Sequence, residues 1–245
     1  MKPAVLKDRW DFNGQGEVLM VDKPLEWTSF DVVNKIRSMF HITKAGHAGT
    51  LDPKATGLLI ICTGRLTKSI EGFVGLDKQY EGTFQLGIRT PSFDSETEIT
   101  ERKDISDITP ARICEVMESF VGKQTQVPPM YSAAKFGGKP LYKYARRGKT
   151  VHREPKDIEI RVFVPERMLV PVIEFRAVCS KGTYIRSLVD DLGQKLGCGA
   201  SLLSLRRTRV GNYRIEDAST IEQLASLAAQ LRAKQFFTHE ACVPS

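Results

Sequence analysis

Apolar positions recur along this chain with two periods, and the switches between them mark its elements. Val18-Leu19-Met20-Val21 is a short apolar run closed by Asp22-Lys23-Pro24, and predicts a strand. Thr28 and Asp31 form an N-terminal capping pattern, after which Phe30, Val33, Ile36 or Arg37, and Phe40 recur at helical spacing. This predicts an amphipathic helix over 29–40. Leu58-Leu59-Ile60-Ile61-Cys62 is too short for anything but a buried strand or half of a buried helix. Gly64–Lys68 is expected to begin another helix. Tyr80, Gly82, Phe84, Leu86 and Ile88 alternate with Glu81, Thr83, Gln85 and Gly87, a half-exposed strand with Tyr80 at its beginning.

Residues 1–16 read as a polar lead-in and 92–108 as an acidic, solvated loop. Thr109-Pro110 opens a helix with Ile113, Val116, Met117 and Phe120 on one face and Gly122 as its stop. Val170, Val172 and Val178 oppose Ile173, Phe175, Ala177 and Cys179, so this strand is apolar on both sides and central. Ser180-Lys181-Gly182 turns it into a helix carrying Ile185, Leu188, Val189, Leu192 and Leu196. Thr183 reads as the cap, with Tyr184 and Arg186 in the first turn. The helix dipole mildly opposes a cation there, which implies a specific anionic partner for Arg186. Leu203 and Leu205 alternate toward Arg207 and Arg209, a strand ending at Gly211, and a last amphipathic helix is expected near 219–233.

Composition narrows the class. Apolar (41%) and charged (27%) content is that of a globular protein, and a formal net charge of +7 favours an anionic partner, nucleic acid first. The cationic character concentrates in residues 123–156, which hold nine Lys or Arg against Glu154 alone. Tyr131, Phe136, Tyr142 and Tyr144 are interleaved with them, a pattern suited to phosphate contacts and base stacking. The five cysteines, Cys62, Cys114, Cys179, Cys198 and Cys242, sit at no metal-ligand spacing and read as reduced, mostly buried thiols of a cytosolic protein. No signal peptide or membrane span is expected.

The stretch around which the rest is organised runs from Ala45-Gly46-His47 through Leu51-Asp52-Pro53 to Gly57. Pro53 pushes Asp52 away from helical geometry. Glycines on either side permit tight turns, so the loop presents one carboxylate, with His47 five residues earlier.

Together with Lys23-Pro24, Lys78-Gln79-Tyr80, Ser180-Lys181-Gly182-Thr183-Tyr184-Ile185-Arg186 and Leu205-Arg206-Arg207-Thr208-Arg209-Val210-Gly211, this loop resembles the TruB family, the bacterial tRNA pseudouridine-55 synthases. The match covers roughly residues 17–225, and its most specific part is His-Ala-Gly-Thr-Leu-Asp-Pro followed by Ala-Thr-Gly-Leu-Leu. The resemblance implies an α+β pseudouridine synthase fold, with a mixed, largely antiparallel central sheet flanked by helices. It implies isomerisation of uridine to pseudouridine at position 55 of the tRNA T-loop, on a flipped base. Asp52 matches the essential aspartate and Arg186 the arginine that pairs with it. Tyr80 matches the stacking tyrosine, a candidate for taking the C5 proton. Tyr184 and Leu205 match residues lining the flipped uracil, His47 one supporting the extruded nucleotide, and Lys23-Pro24 a structural motif.

The resemblance also makes 123–156 an insertion closing over the stem-loop, with Lys143, Arg146, Arg147, Lys149 and Arg153 as RNA contacts. No metal and no cofactor is expected, because the isomerisation transfers neither electrons nor phosphate and no such motif is present. The expected partner is tRNA, with no membrane and no protein partner, for a cytoplasmic monomer. One catalytic domain over 1–245 is expected, without a complete C-terminal PUA domain. A non-catalytic RNA-binding protein would explain the charge but not the presence of both Asp52 and Arg186. An aspartyl-phosphate enzyme is opposed by Pro53 inside the motif and by the missing nucleotide site.

Overall fold

The computed structural model describes residues 10–240, with side chains as far as Ala233. Residues 1–9 of the expected lead-in and Cys242 lie outside it. In chain order the first elements are β1 (Val18–Lys23), α1 (Ser29–Phe40), β2 (Ala45–Ala48), β3 (Ala55–Thr63), a 3-10 turn over Gly64–Ser69 and α2 (Ile70–Gly75). There follow β4 (Lys78–Leu86), β5 (Ile88–Arg89), β6 (Glu101–Arg102), α3 (Pro110–Glu118), β7 (Gly122–Gln126), β8 (Lys135–Phe136), β9 (Lys139–Pro140) and α4 (Tyr142–Ala145). The chain continues through β10 (Lys156–Leu169), β11 (Val172–Cys179), α5 (Ile185–Leu196), β12 (Ala200–Val210), β13 (Tyr213–Arg214) and α6 (Ile221–Glu240). Contacts divide the chain into two units, one up to Gly75 and from Arg207 onward, the other Leu76–Arg206.

In the first unit β3 lies between β1 and β2, antiparallel to both. Its residues from Gly57 to Thr63 are all buried, as an apolar run with neighbours on both edges requires. Leu19 and Val21 of β1, the inner face of α1, and Ile221, Leu224 and Ala228 of α6 close one core with Leu59 and Ile61. Thr28 caps α1 as read: its hydroxyl accepts from the Asp31 N–H at 3.0 Å, and the Asp31 carboxylate accepts from the Thr28 N–H at 2.9 Å. The buried face differs from the one read. It is Ser29, Val32, Val33, Ile36 and Met39, while Phe30 is 62% exposed, because the stripe is centred one position earlier than Phe30 and Arg37 suggest. The lead-in is also less polar than expected. Trp10 stacks on Phe12, which packs on Phe40, and the Asn13 side chain holds His41 and Thr43 at the end of α1.

In the second unit β4, β11, β10 and β7 form successive antiparallel ladders, so β11 is central there. Ile173, Phe175 and Ala177 are buried, whereas Glu174 and Arg176 on the other face are half-buried. Helix α3 packs on β10 and α5. It stops at Ser119 rather than Gly122, which opens β7 at φ +119°. The ladders within each unit named above, and that of β12 with β13, are antiparallel, and isolated parallel bridges occur at Val21–Ser219 and Asp94–Leu202. The fold is α+β with a mixed, largely antiparallel sheet, as expected. Among the described residues no helix is long and apolar enough to cross a membrane.

Candidate active site

The first unit presents Asp52 on the connection between β2 and β3. That connection is fixed through its backbone. Ser29 Oγ accepts from the Leu51 N–H at 2.9 Å and donates to the Leu51 carbonyl at 3.1 Å. The Pro53 carbonyl accepts from the Glu26 N–H at 2.9 Å, and the Ala55 N–H donates to the Asp52 carbonyl at 3.0 Å. Leu51 is buried beside it and anchors the loop to the core. Asp52 itself is half-buried.

Two fully buried cations lie under this loop, of which the sequence singles out only Lys23, for a structural role. Its Nζ donates to the Trp27 carbonyl at 2.6 Å and the Pro24 carbonyl at 2.9 Å, with Pro53 at 3.5 Å. Burial pushes its ammonium down to about 8, against the attraction of Asp52 and Glu26. The unfolded chain then binds more protons between pH 8 and 10.5, so the cost of burying this charge is fully present below pH 8 and disappears as pH rises through that window. The stability of the protein relative to Lys23→Met is expected to rise by about 3 kcal/mol from pH 8 to 10.5, as read in urea titrations. A flat difference would refute it. Arg207 is the second cation, 1% exposed, donating to main-chain carbonyls of the same hairpin. His47 on β2 is half-buried, and burial together with Arg207 holds its imidazole below the usual histidine range. It is therefore neutral at pH 7, and its buried Nδ1 has no hydrogen-bond partner.

The second unit positions the other residues read from the sequence. Tyr80 stands opposite Ala177 across the β4–β11 ladder and is 8% exposed. Tyr184, not Thr183, is the N-cap residue of α5; the Thr183 hydroxyl donates back to the Ser180 carbonyl at 3.0 Å instead. Gln126 holds the backbone of Tyr184 from outside the helix. Its Oε1 accepts from the Tyr184 N–H at 2.8 Å and its Nε2 donates to the Tyr184 carbonyl at 3.1 Å. Leu205 is half-buried on β12.

Arg186 is 3% exposed and has the anionic contact its position called for. Its Nη1 donates to the Ser92 carbonyl at 2.9 Å, Nη2 to the Tyr131 carbonyl at 2.7 Å, and Nε lies 3.4 Å from Asp94 Oδ2. Asp94 was missed from sequence because it sits in the stretch read as solvated. Thr90, Ser92 and Asp94 are in fact buried, and Thr90 and Ser92 hydroxyls donate to the Asp94 carbonyl at 2.7 and 3.2 Å.

The basic stretch begins inside β7 (Gly122–Gln126), and a short β8–β9 hairpin and α4 follow. Lys143, Arg146, Arg147 and Lys149 are exposed, Arg146 pairing with Glu96 at 3.2 Å. Arg153 is half-buried and donates to the Pro128 carbonyl at 3.1 Å. Among the described residues, no cluster of three His, Cys, Asp or Glu side chains is arranged to hold a metal.

Comparison with known proteins gives the family. A family model of the N-terminal domain of TruB family pseudouridylate synthases matches residues 37–185. One of the tRNA pseudouridylate synthase B C-terminal domain matches 186–239. The chain is 46% identical to tRNA pseudouridine synthase B of Chloroherpeton thalassium, over 85% of this chain and 89% of that one. It is 49% identical to the protein of that name from Phocaeicola vulgatus, over 85% and 91%. Among solved structures it resembles that of a Cbf5-Nop10-Gar1 complex, at a TM-score of 0.69 and 28% identity. The likeness covers 91% of this chain and 60% of that one. By sequence and fold it is thus a pseudouridylate synthase. The chain belongs to the TruB family.

Proposed function

We propose that this chain isomerises uridine to pseudouridine in tRNA, at position 55 of the T-loop. Family membership supports the reaction, and the observation that carries the site is Asp52 on a loop fixed at Leu51 by the buried Ser29 and at Pro53 by Glu26, running into a strand held at Leu58 by the buried Arg207. The reaction breaks N1–C1′, turns the uracil and joins C5 to C1′. N1 ends with a proton and C5 gives one up, so no group is gained or lost. Asp52 supplies the essential carboxylate, Arg186 matches the arginine that the family pairs with it, and Tyr80 is the candidate for receiving the C5 proton. The target base leaves its stack, with His47 supporting the extruded nucleotide and Tyr184 and Leu205 lining the uracil. The enzyme acts as a cytoplasmic monomer.

The test is tritium release from unmodified tRNA labelled at uracil C5, with the product nucleotide mapped. Stoichiometric release at uridine 55 is expected. Tight tRNA binding without release would hand the case to a purely RNA-binding protein.

Lys143, Arg146, Arg147, Lys149 and Arg153 grip the stem-loop through phosphates. Replacing Arg146, Arg147 and Lys149 by Gln is expected to weaken tRNA binding and to flatten the slope of log affinity against log salt by about two units. Arg146 contributes least, being already paired with Glu96. An unchanged slope across a salt series would exclude this surface as an RNA contact.

A further inference from the structure

We infer that Arg207 is a positioning residue for the reaction: its guanidinium ties the start of the Asp52 loop, at Gly49, to the first residues of β3, at Leu58, and so fixes where the carboxylate stands. The inference rests on the reading of Asp52 as the reacting group. Arg207 Nη2 donates to the Gly49 carbonyl at 3.0 Å and Nε to the Leu58 carbonyl at 2.7 Å. These two carbonyls bracket Asp52, and one rigid planar group spans them.

The backbone of Arg207 presses on the same loop. Gly57 has φ +102°, and a Cβ there would stand 2.3 Å from the Arg207 carbonyl oxygen and 2.8 Å from its nitrogen. Side chain and main chain of one residue therefore grip the loop, and Gly57 is required for that approach.

A buried guanidinium facing neutral carbonyls is a costly way to fill space, and an apolar side chain of similar volume would pack there without that cost. What the arginine adds is a fork with fixed geometry. A lysine offers a single point charge and cannot bridge Gly49 and Leu58 in the same plane. Arg207 also adds a positive field to the hairpin: together with burial it holds His47 neutral, and it opposes the charge of Lys23, which Asp52, Glu26 and Asp31 favour. It thus surrounds the loop with fixed charge that does not vary with pH.

Full-length Arg207→Lys and Arg207→Met proteins test this, with unmodified tRNA under single-turnover conditions. Arg207→Lys is expected to slow the chemical step about 100-fold while tRNA affinity stays within about threefold, a loss in kcat and not in KM. Amide hydrogen exchange over 49–58 is expected to quicken at least about tenfold. Arg207→Met is expected to lose more, with the lysine variant as partial rescue. If the methionine variant fails to fold, the lysine variant alone decides. A wild-type rate per folded molecule in Arg207→Lys overturns the inference, including when loop exchange has quickened, since Arg207 would then serve folding only. Asp52→Asn is run alongside: full activity there sinks the reading of Asp52, whereas an inactive Asp52→Asn beside a fully active Arg207→Lys sinks the positioning role alone.

Discussion

Asp52→Asn is expected to abolish turnover, by about four orders of magnitude or more, while leaving the protein folded and able to bind tRNA. The substitution keeps the volume and removes the charge and the nucleophilic or basic oxygen. The holds on the loop run through main-chain atoms of Gly49, Leu51, Pro53 and Leu58, all of which an asparagine at this position would leave in place. Thermal midpoint and tRNA affinity are therefore expected to change far less than turnover. Lys23 should respond, because Asp52 is the strongest of the charges that favour its ammonium. Its titration is expected to move further below about 8. Tritium release, a thermal melt and a binding isotherm on one preparation separate these effects. Residual turnover within about tenfold of wild type would mean that the reaction uses a different group.

Arg186→Met is expected to cost both activity and fold. The guanidinium is buried between two carbonyls and Asp94, so its removal leaves a buried carboxylate without its counter-ion and two acceptors without donors. Losses of about 3–5 kcal/mol are usual for one half of a buried pair, equivalent to a fall of about 10 °C in Tm for a chain of this size. Asp94→Asn removes the charge that Arg186 neutralises, so the double variant should be less unstable than the sum of the singles, by about 2 kcal/mol. Additive losses would show that Arg186 and Asp94 are not coupled, and a Tm within a few degrees of wild type in Arg186→Met would refute the structural role of this arginine.

What could be read in advance follows from the range of each interaction. The capped start of α1 was legible because Thr28 and Asp31 satisfy each other's N–H groups within one turn. The buried β3 was legible because an uninterrupted apolar run has few other places to go. Which face of α1 is buried was less so. Phe30 is apolar but exposed, and only the cores offered by β3 and α6 decide the rotation of the helix. Thr183 looked like a cap by the same local logic as Thr28, yet its hydroxyl turns back to Ser180, and the backbone at the start of the helix is held by Gln126 from 58 residues away.

By itself, then, the sequence determined the order and type of most elements, the single carboxylate between Gly49 and Gly57, and the family to which its motifs belong. These depend on periods of two or 3.6 residues and on contiguous motifs. Tertiary structure decided what holds the chemistry in place. Arg207 reaches Leu58 and Gly49 across 149 and 158 residues, and Arg186 reaches Ser92 across 94. Each acceptor is a main-chain carbonyl, a group every residue carries. No spacing of residue types can announce such a partner, and only the folded path of the chain selects which carbonyl it is.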